Sequence, residues 1–213
     1  MFGLDHAIAG LSGGGTLLVV LAISLLLGLR HASDPDHLAA VTTLATGKEV
    51  PVRAAARLGF VWGCGHATSL FLVGLPVVLW RVYLPHRIQA GAEALVGLMI
   101  VALAVWLLVR WRSGALTRRA RIRSGRTAYC IGLVHGAGGS AGIGILLLAA
   151  IPQRSVALAG LVVFAAGTAV SMAVLSGGFG RALSGAWSIR IAPVLGVVSL
   201  VFGVWYTGAA LGL

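Results

Sequence analysis

The chain alternates long apolar runs with short polar breaks, and the runs show no strand-like alternation of apolar and polar residues. About 20 apolar residues in a helix cross the hydrocarbon core of a bilayer. Six stretches reach that length, at about 14–46, 58–80, 90–109, 128–151, 156–176 and 191–212. The first is too long for one crossing and is interrupted by charge and proline between Arg30 and His37. It reads as a helix from about Thr16 to Leu29, a break, and a short helical piece from Leu38 to Thr46. A β-barrel is written in short alternating segments, and none is present. The pattern predicts an all-α integral membrane protein with six transmembrane helices, the first of them broken, in a single transmembrane domain over 1–213.

Composition agrees with that reading. Hydrophobic residues make up 59% of the 213 and charged residues 10%, against about 45–50% and 25% in soluble domains. A soluble enzyme, a disordered chain and a disulfide scaffold are all excluded on that ground. The net charge of +11 would suggest nucleic acid on a soluble protein. Here the basic residues fall between the apolar runs, without interleaved aromatics, so they read as topology anchors and no nucleic-acid partner is expected. Most of them fall in alternate loops. Lys48, Arg53 and Arg57 lie at 47–57, Arg110, Arg112, Arg118, Arg119, Arg121, Arg123 and Arg126 at 110–127, and Arg181 and Arg190 at 177–190. The opposite side has Arg81, Arg87 and Arg154. The positive-inside rule therefore predicts a cytoplasmic-membrane protein with loops one, three and five in the cytoplasm and both termini outside. The central basic loop also suits acidic lipid, so the bilayer itself is an expected partner. The start, MFGLDHAIAG, lacks the basic segment that opens a secretory signal.

The two halves echo one another. LGLRH at 27–31 resembles IGLVH at 131–135, GHATSL at 65–70 resembles GTAVSM at 167–172, and GLMIVALAVW at 97–106 resembles GVVSLVFGVW at 196–205. The order is kept and the offsets, 104, 102 and 99, are nearly equal. Three spans per half reverse the second half in the membrane. The prediction is two inverted three-helix repeats, about 14–111 and 128–212, joined by the basic loop at 110–127. Such repeats with a broken helix are characteristic of secondary transporters.

Candidate chemistry concentrates in Arg30-His31-Ala32-Ser33-Asp34-Pro35-Asp36-His37. A carboxylate at the centre of a span costs about 2.5–3.5 kcal/mol on insertion scales, so acids and imidazoles there need a compensating partner. A divalent cation is such a partner. On a regular helix His31, Asp36 and His37 would splay around the axis at 3.6 residues per turn. Pro35 removes a backbone donor and breaks the helix, which lets them converge. Freed carbonyls at that depth are tolerated where they line a cavity. His66, in WGCGHATS, lies mid-span among small residues that admit a close neighbour, and becomes a fourth candidate ligand. His135, in HGAGGSAG, sits at the repeat position of the cluster and either lines the pathway, adds a ligand or packs in the core. Mixed imidazole and carboxylate donors suit nickel, cobalt or zinc more than magnesium or calcium. The candidate metal residues are thus His31, Asp34, Asp36, His37, His66 and His135. Asp5, His6 and His86 read as solvated outer-face residues, and Cys64 and Cys130 as small core residues.

RHASDPDHLAAV resembles the first signature of the nickel/cobalt transporter family, His-x4-Asp-His on an early membrane helix. His31, Asp36 and His37 match it position by position, and Asp34 matches the additional acid usual there. WGCGHATS is similar to the family's second motif, with His66 at its histidine. HGAGGSAG and GTAVSM resemble the short six-span branch associated with urease genes. The chain lacks the eight spans and the later acidic LGFDTATE-type motif of the longer members. The resemblance implies a secondary transporter for Ni2+ or Co2+, the metal being substrate with no permanently bound cofactor and no enzymatic reaction.

No G-x-x-x-x-G-K-[ST] loop is present, so the chain is not expected to hydrolyse ATP. Two other classes use the same residues. A membrane metalloenzyme would employ the His/Asp cluster with Asp34 as general base, and a thiol–disulfide conduit would employ Cys64 and Cys130.

Overall fold

The computed structural model describes residues 2–45, 51–81, 85–117, 124–138 and 142–213. Among these there are eight helices and no strand: α1 Phe2–His31, α2 Pro35–Ala45, α3 Val52–Trp80, α4 His86–Arg112, α5 Gly125–Ala137, α6 Gly142–Ala149, α7 Arg154–Ala182 and α8 Ala186–Leu211. Four of them, α3, α4, α7 and α8, are each long and apolar enough to cross a bilayer. Leu17–His31 of α1 and Pro35–Thr43 of α2 pass the same test together, as a pair bent by 47°. The chain is an all-helical, multi-pass membrane protein.

The break in the first span is shorter than the sequence suggested, covering only Ala32–Asp34 of the expected 30–37. Ser33 N–H donates to Arg30 O at 2.8 Å and Asp34 N–H to His31 O at 3.0 Å, closing a tight turn at the end of α1. Pro35 does not lie inside the break but opens α2. A first helical position needs no backbone donor and suits the fixed φ of proline. Asp36 and His37 consequently lie in the first turn of α2, not in irregular chain. The apolar run at 128–151 is not one helix among the described residues. It is α5 and α6, of 13 and 8 residues. Gly138 leaves the helical region at ψ 159°. Residues 139–141 of the HGAGGSAG stretch lie outside the described residues, as do Lys48 and the arginines at 118–123.

At the centre α3 packs along α7. α5 lies against α3, α1 lies against α7, and α4 and α8 form a further pair that α2 touches. Glycines set the closest approaches. A Cβ on Gly132 of α5 would collide with the Trp62 carbonyl of α3, and one on Gly65 of α3 with the Tyr129 carbonyl of α5. Small residues at such crossings let backbones touch, which is how helices associate without a hydrophobic driving force. Gly132→Ala is therefore expected to cost about 1–3 kcal/mol by forcing the helices apart. In a chain of this size that is a fall in melting midpoint of roughly 2–4 °C per kcal/mol, measurable on the detergent-purified protein. Gly91→Ala, where a Cβ meets no atom within 4 Å, is the control and should not lower it. Equal midpoints for the two variants would show that this contact does not set the packing.

The same contacts recur in the two halves at shifted numbers. Ser69 Oγ donates to Leu133 O at 2.6 Å, and Ser171 Oγ to Leu29 O at 2.8 Å. Gly132 abuts Trp62 O and His66 N, while Gly28 abuts Phe164 O and Thr168 N. Gly97 abuts Thr207 and Gly196 abuts Leu108, both within the α4–α8 pair.

Candidate metal centre

The bend between α1 and α2 puts three residues of the first motif into the interior. His31 is 3%, Asp36 3% and His37 1% exposed. His66 reaches the same place from the middle of α3 and His135 from the last turn of α5; neither has any exposed surface. The α3–α5 crossing at Gly65 and Gly132 brings these two histidines close, with ring centroids 6.0 Å apart. His37 lies among the others, its centroid 4.7 Å from that of His31, 4.9 Å from His66 and 4.2 Å from His135. Five of the six candidate residues are thus brought together from four helices.

Donor atoms fall into two groups. His31, His37 and His66 each present one ligand atom within 4.8 Å of the other two, and so do Asp36, His37 and His135. His31 Nε2 and His66 Nε2 are 3.1 Å apart. Metal–imidazole bonds of about 2 Å put neighbouring nitrogens on one ion about 3 Å apart, so this spacing fits two ligands of a common cation.

The carboxylates act on the rings. An ionised carboxylate only accepts, so each ring nitrogen facing one donates its N–H. His31 Nδ1 donates to Asp34 Oδ2 at 3.0 Å, His37 Nδ1 to Asp36 Oδ1 at 3.1 Å, and His135 Nε2 to Asp36 Oδ2 at 3.1 Å. The lone pairs of His31 and His37 are left on Nε2. Carboxylate–imidazole pairs of this kind fix tautomer and ring orientation at metal sites. His37 Nε2, His66 Nδ1 and His135 Nδ1 are buried with no hydrogen-bond partner among the described residues. Buried nitrogens are normally satisfied, so a cluster with three unpaired ones has unused ligand capacity.

Asp34 stands outside both groups. Its other oxygen lies 3.7 Å from Arg30 Nη2, and its side chain is 16% exposed. It braces His31 from behind. The apolar wall was not anticipated. Trp62 is buried with its ring 5.8 Å from His37 and 5.5 Å from His135, and Phe164 of α7 lies 5.6 Å from His31. The signal for Phe164 was present, since the offset of 102 relating GHATSL to GTAVSM also relates Trp62 to Phe164. The other residues weighed in the sequence lie apart. His86 is exposed, and Cys64 and Cys130 are free thiols, the latter exposed rather than in the core. The side chains of Asp5 and His6 lie outside the described residues.

Comparison with known proteins adds identity to this geometry. Residues 17–129 match the sequence model of the NicO family, described as high-affinity nickel-transport protein. The match includes His31, Asp34, Asp36, His37 and His66 and ends short of His135. The chain is 26% identical over 208 residues to the urease accessory protein UreH of Bacillus sp. (strain TB-90), covering 89% of this chain and 91% of that one. It is 32% identical over 106 residues to the cobalt transport protein NhlF of Rhodococcus rhodochrous, covering 50% of this chain and 28% of that protein. It is also 28% identical over 164 residues to the Arabidopsis thaliana chloroplast protein FOR GROWTH AND FERTILITY 1, covering 68% and 44%. The chain thus spans nearly all of the Bacillus relative but less than half of the other two. No solved structure matches the chain. With the His-x4-Asp-His signature buried at a helix break inside the matched segment, the chain belongs to the NicO family of high-affinity nickel-transport proteins.

Proposed function

We propose that the chain is a secondary transporter that carries Ni2+ or Co2+ across the cytoplasmic membrane, using the buried His/Asp cluster as the ion's binding site. The observation that carries this reading is the convergence of His31, Asp36, His37, His66 and His135 at a broken membrane helix, with three buried ring nitrogens that have no hydrogen-bond partner among the described residues. The cation is substrate, not cofactor. Imidazole nitrogens and the Asp36 carboxylate replace part of its water shell, and Asp34 acts through His31 by holding the ring. The Rhodococcus relative is named a cobalt transport protein and the family model a high-affinity nickel-transport protein, which supports these two metals.

Two features support alternating access by inverted repeats. The paired contacts Ser69–Leu133 with Ser171–Leu29, and Gly132–Trp62 with Gly28–Phe164, are what a two-fold axis through the α3–α7 pair would generate. In that scheme α1–α2, α3 and α4 correspond to α5–α6, α7 and α8, giving six spans with the first of each repeat broken. One repeat rocking on the other would then expose the site to each side in turn. The concentration of arginines in alternate loops supports cytoplasmic loops one, three and five and outer termini.

The test is flux through the purified protein in sealed proteoliposomes. Wild type should load the vesicles with Ni2+ or Co2+ without nucleotide. Metal that binds stoichiometrically but never crosses would favour the metalloenzyme instead. Within the same assay, Asp34→Ala should raise the metal concentration for half-maximal flux about 10–100-fold, the usual effect of removing a carboxylate behind a ligating histidine. An unchanged half-saturation would remove Asp34 from the site. Loss of its contact with the exposed Arg30 should contribute little by itself.

A further inference from the structure

We propose that the cluster is two alternative ion positions sharing His37, between which a single cation passes, and not one composite site; the proposal rests on the transport reading above. The first position is the all-imidazole group His31, His37 and His66, and the second is Asp36, His37 and His135. The ring centroids of His66 and His135 lie 6.0 Å apart, and each residue belongs to one group only. His37 belongs to both.

The hydrogen bonds give the two positions different states. Asp36 holds the N–H groups of His37 and His135, which leaves the His37 Nε2 lone pair free. The Asp34 contact puts the His31 lone pair on Nε2, which accepts from His66 Nε2–H at 3.1 Å. The first position therefore needs only a shift of the His66 proton from Nε2 to Nδ1 to present three Nε2 lone pairs, with both carboxylates already engaged behind its ligands. The second becomes available when Asp36 turns from accepting ring N–H bonds to binding the ion directly, and His37 offers Nδ1 in place of Nε2. A neutral imidazole has one lone pair, so His37 serves one position at a time and the two are occupied in alternation. Exchange of a neutral for an acidic donor set also changes the ion's environment from three nitrogens to two nitrogens and an oxygen. Passage across a membrane requires sites weak enough to leave and near enough to hand the ion on.

The experiment uses the full chain purified in detergent, Co2+ as probe, its visible absorption as the readout of ligand field, and proteoliposome flux in parallel. Wild type should bind a single Co2+. His135→Ala should keep that binding with the wild-type spectrum and lose flux by about tenfold or more. His66→Ala should bind Co2+ at the second position, with an altered spectrum and a comparable loss of flux. His37→Ala should lose both. Thermal melts of the metal-free variants establish folding, and His66→Gln and His135→Gln replace any alanine variant that fails to fold. If His66→Ala and His135→Ala each abolish binding as fully as His37→Ala while wild type still transports, the site is composite and the partition is wrong. Two Co2+ per wild-type chain, or full flux in His135→Ala, would overturn it as well. Wild type that neither binds nor moves Co2+ would defeat the transport reading and this proposal with it.

Discussion

With His37 replaced by alanine, cells expressing the chain are expected to accumulate no more nickel or cobalt than cells without it. His37 is the residue common to both donor groups and lies at the middle of the cluster. Its removal leaves His31 with His66 on one side and Asp36 with His135 on the other, and neither pair alone offers a third ligand. Removing a group behind a ligand already costs about 10–100-fold in metal affinity, so loss of this shared ligand should exceed about 100-fold. The measurement is metal content of washed cells over a range of external nickel or cobalt, with membrane abundance of the variant checked by immunoblot. Wild-type accumulation by a fully expressed His37→Ala would remove the cluster from the transport path.

Asp36→Ala should have the second largest effect, and it acts in two ways. The carboxylate accepts from His37 and His135 in a buried setting. Without it two ring N–H groups lose their partner, each at a cost of about 1–3 kcal/mol. The melting midpoint should fall, and metal transport should fall by at least about tenfold because His37 no longer has a fixed tautomer. Asp36→Asn separates the two effects. The amide retains one acceptor and most of the volume, so stability should largely return while transport stays impaired. Recovery of both in Asp36→Asn would mean that the charge at this position is not used.

The fold was legible where apolar length alone decides. The runs at 58–80, 90–109 and 156–176 lie within α3, α4 and α7, and that at 191–212 within α8 but for its last residue, though each helix begins before its apolar run. α3 begins at Val52 because Val-Arg-Ala-Ala-Ala-Arg is a good helix-forming sequence, and the charges that read as loop are compatible with its first turns. Pro35 was misplaced for a related reason. A proline breaks a helix from inside and favours one from its first position, and only the preceding turn at Arg30–Asp34 distinguishes these. Gly138 leaves the helical region and ends α5 inside what hydropathy reads as one span.

The site was legible in part. His31, Asp36 and His37 are near in sequence, and a break between them was enough to suggest convergence. His66 and His135 were drawn in only as single residues, because their nearness depends on the α3–α5 crossing. That crossing is set by Gly65 and Gly132, which in a chain with 31 glycines carry no mark of their own. The distinction between Asp34 and Asp36 was also hidden. Both are acids two residues apart, and only the turn that ends α1 directs one toward His31 from outside and the other toward two rings inside.

The most direct test of the central claim, that these imidazoles hold the ion in transit, is X-ray absorption at the nickel edge on the metal-loaded, purified chain. The account predicts a shell of nitrogen and oxygen at about 2.1 Å, no sulfur, and the outer-shell scattering of two or three imidazole rings, with that scattering lost in His37→Ala. A shell of water oxygens without imidazole, a sulfur shell, or a spectrum that His37→Ala leaves unchanged would contradict it.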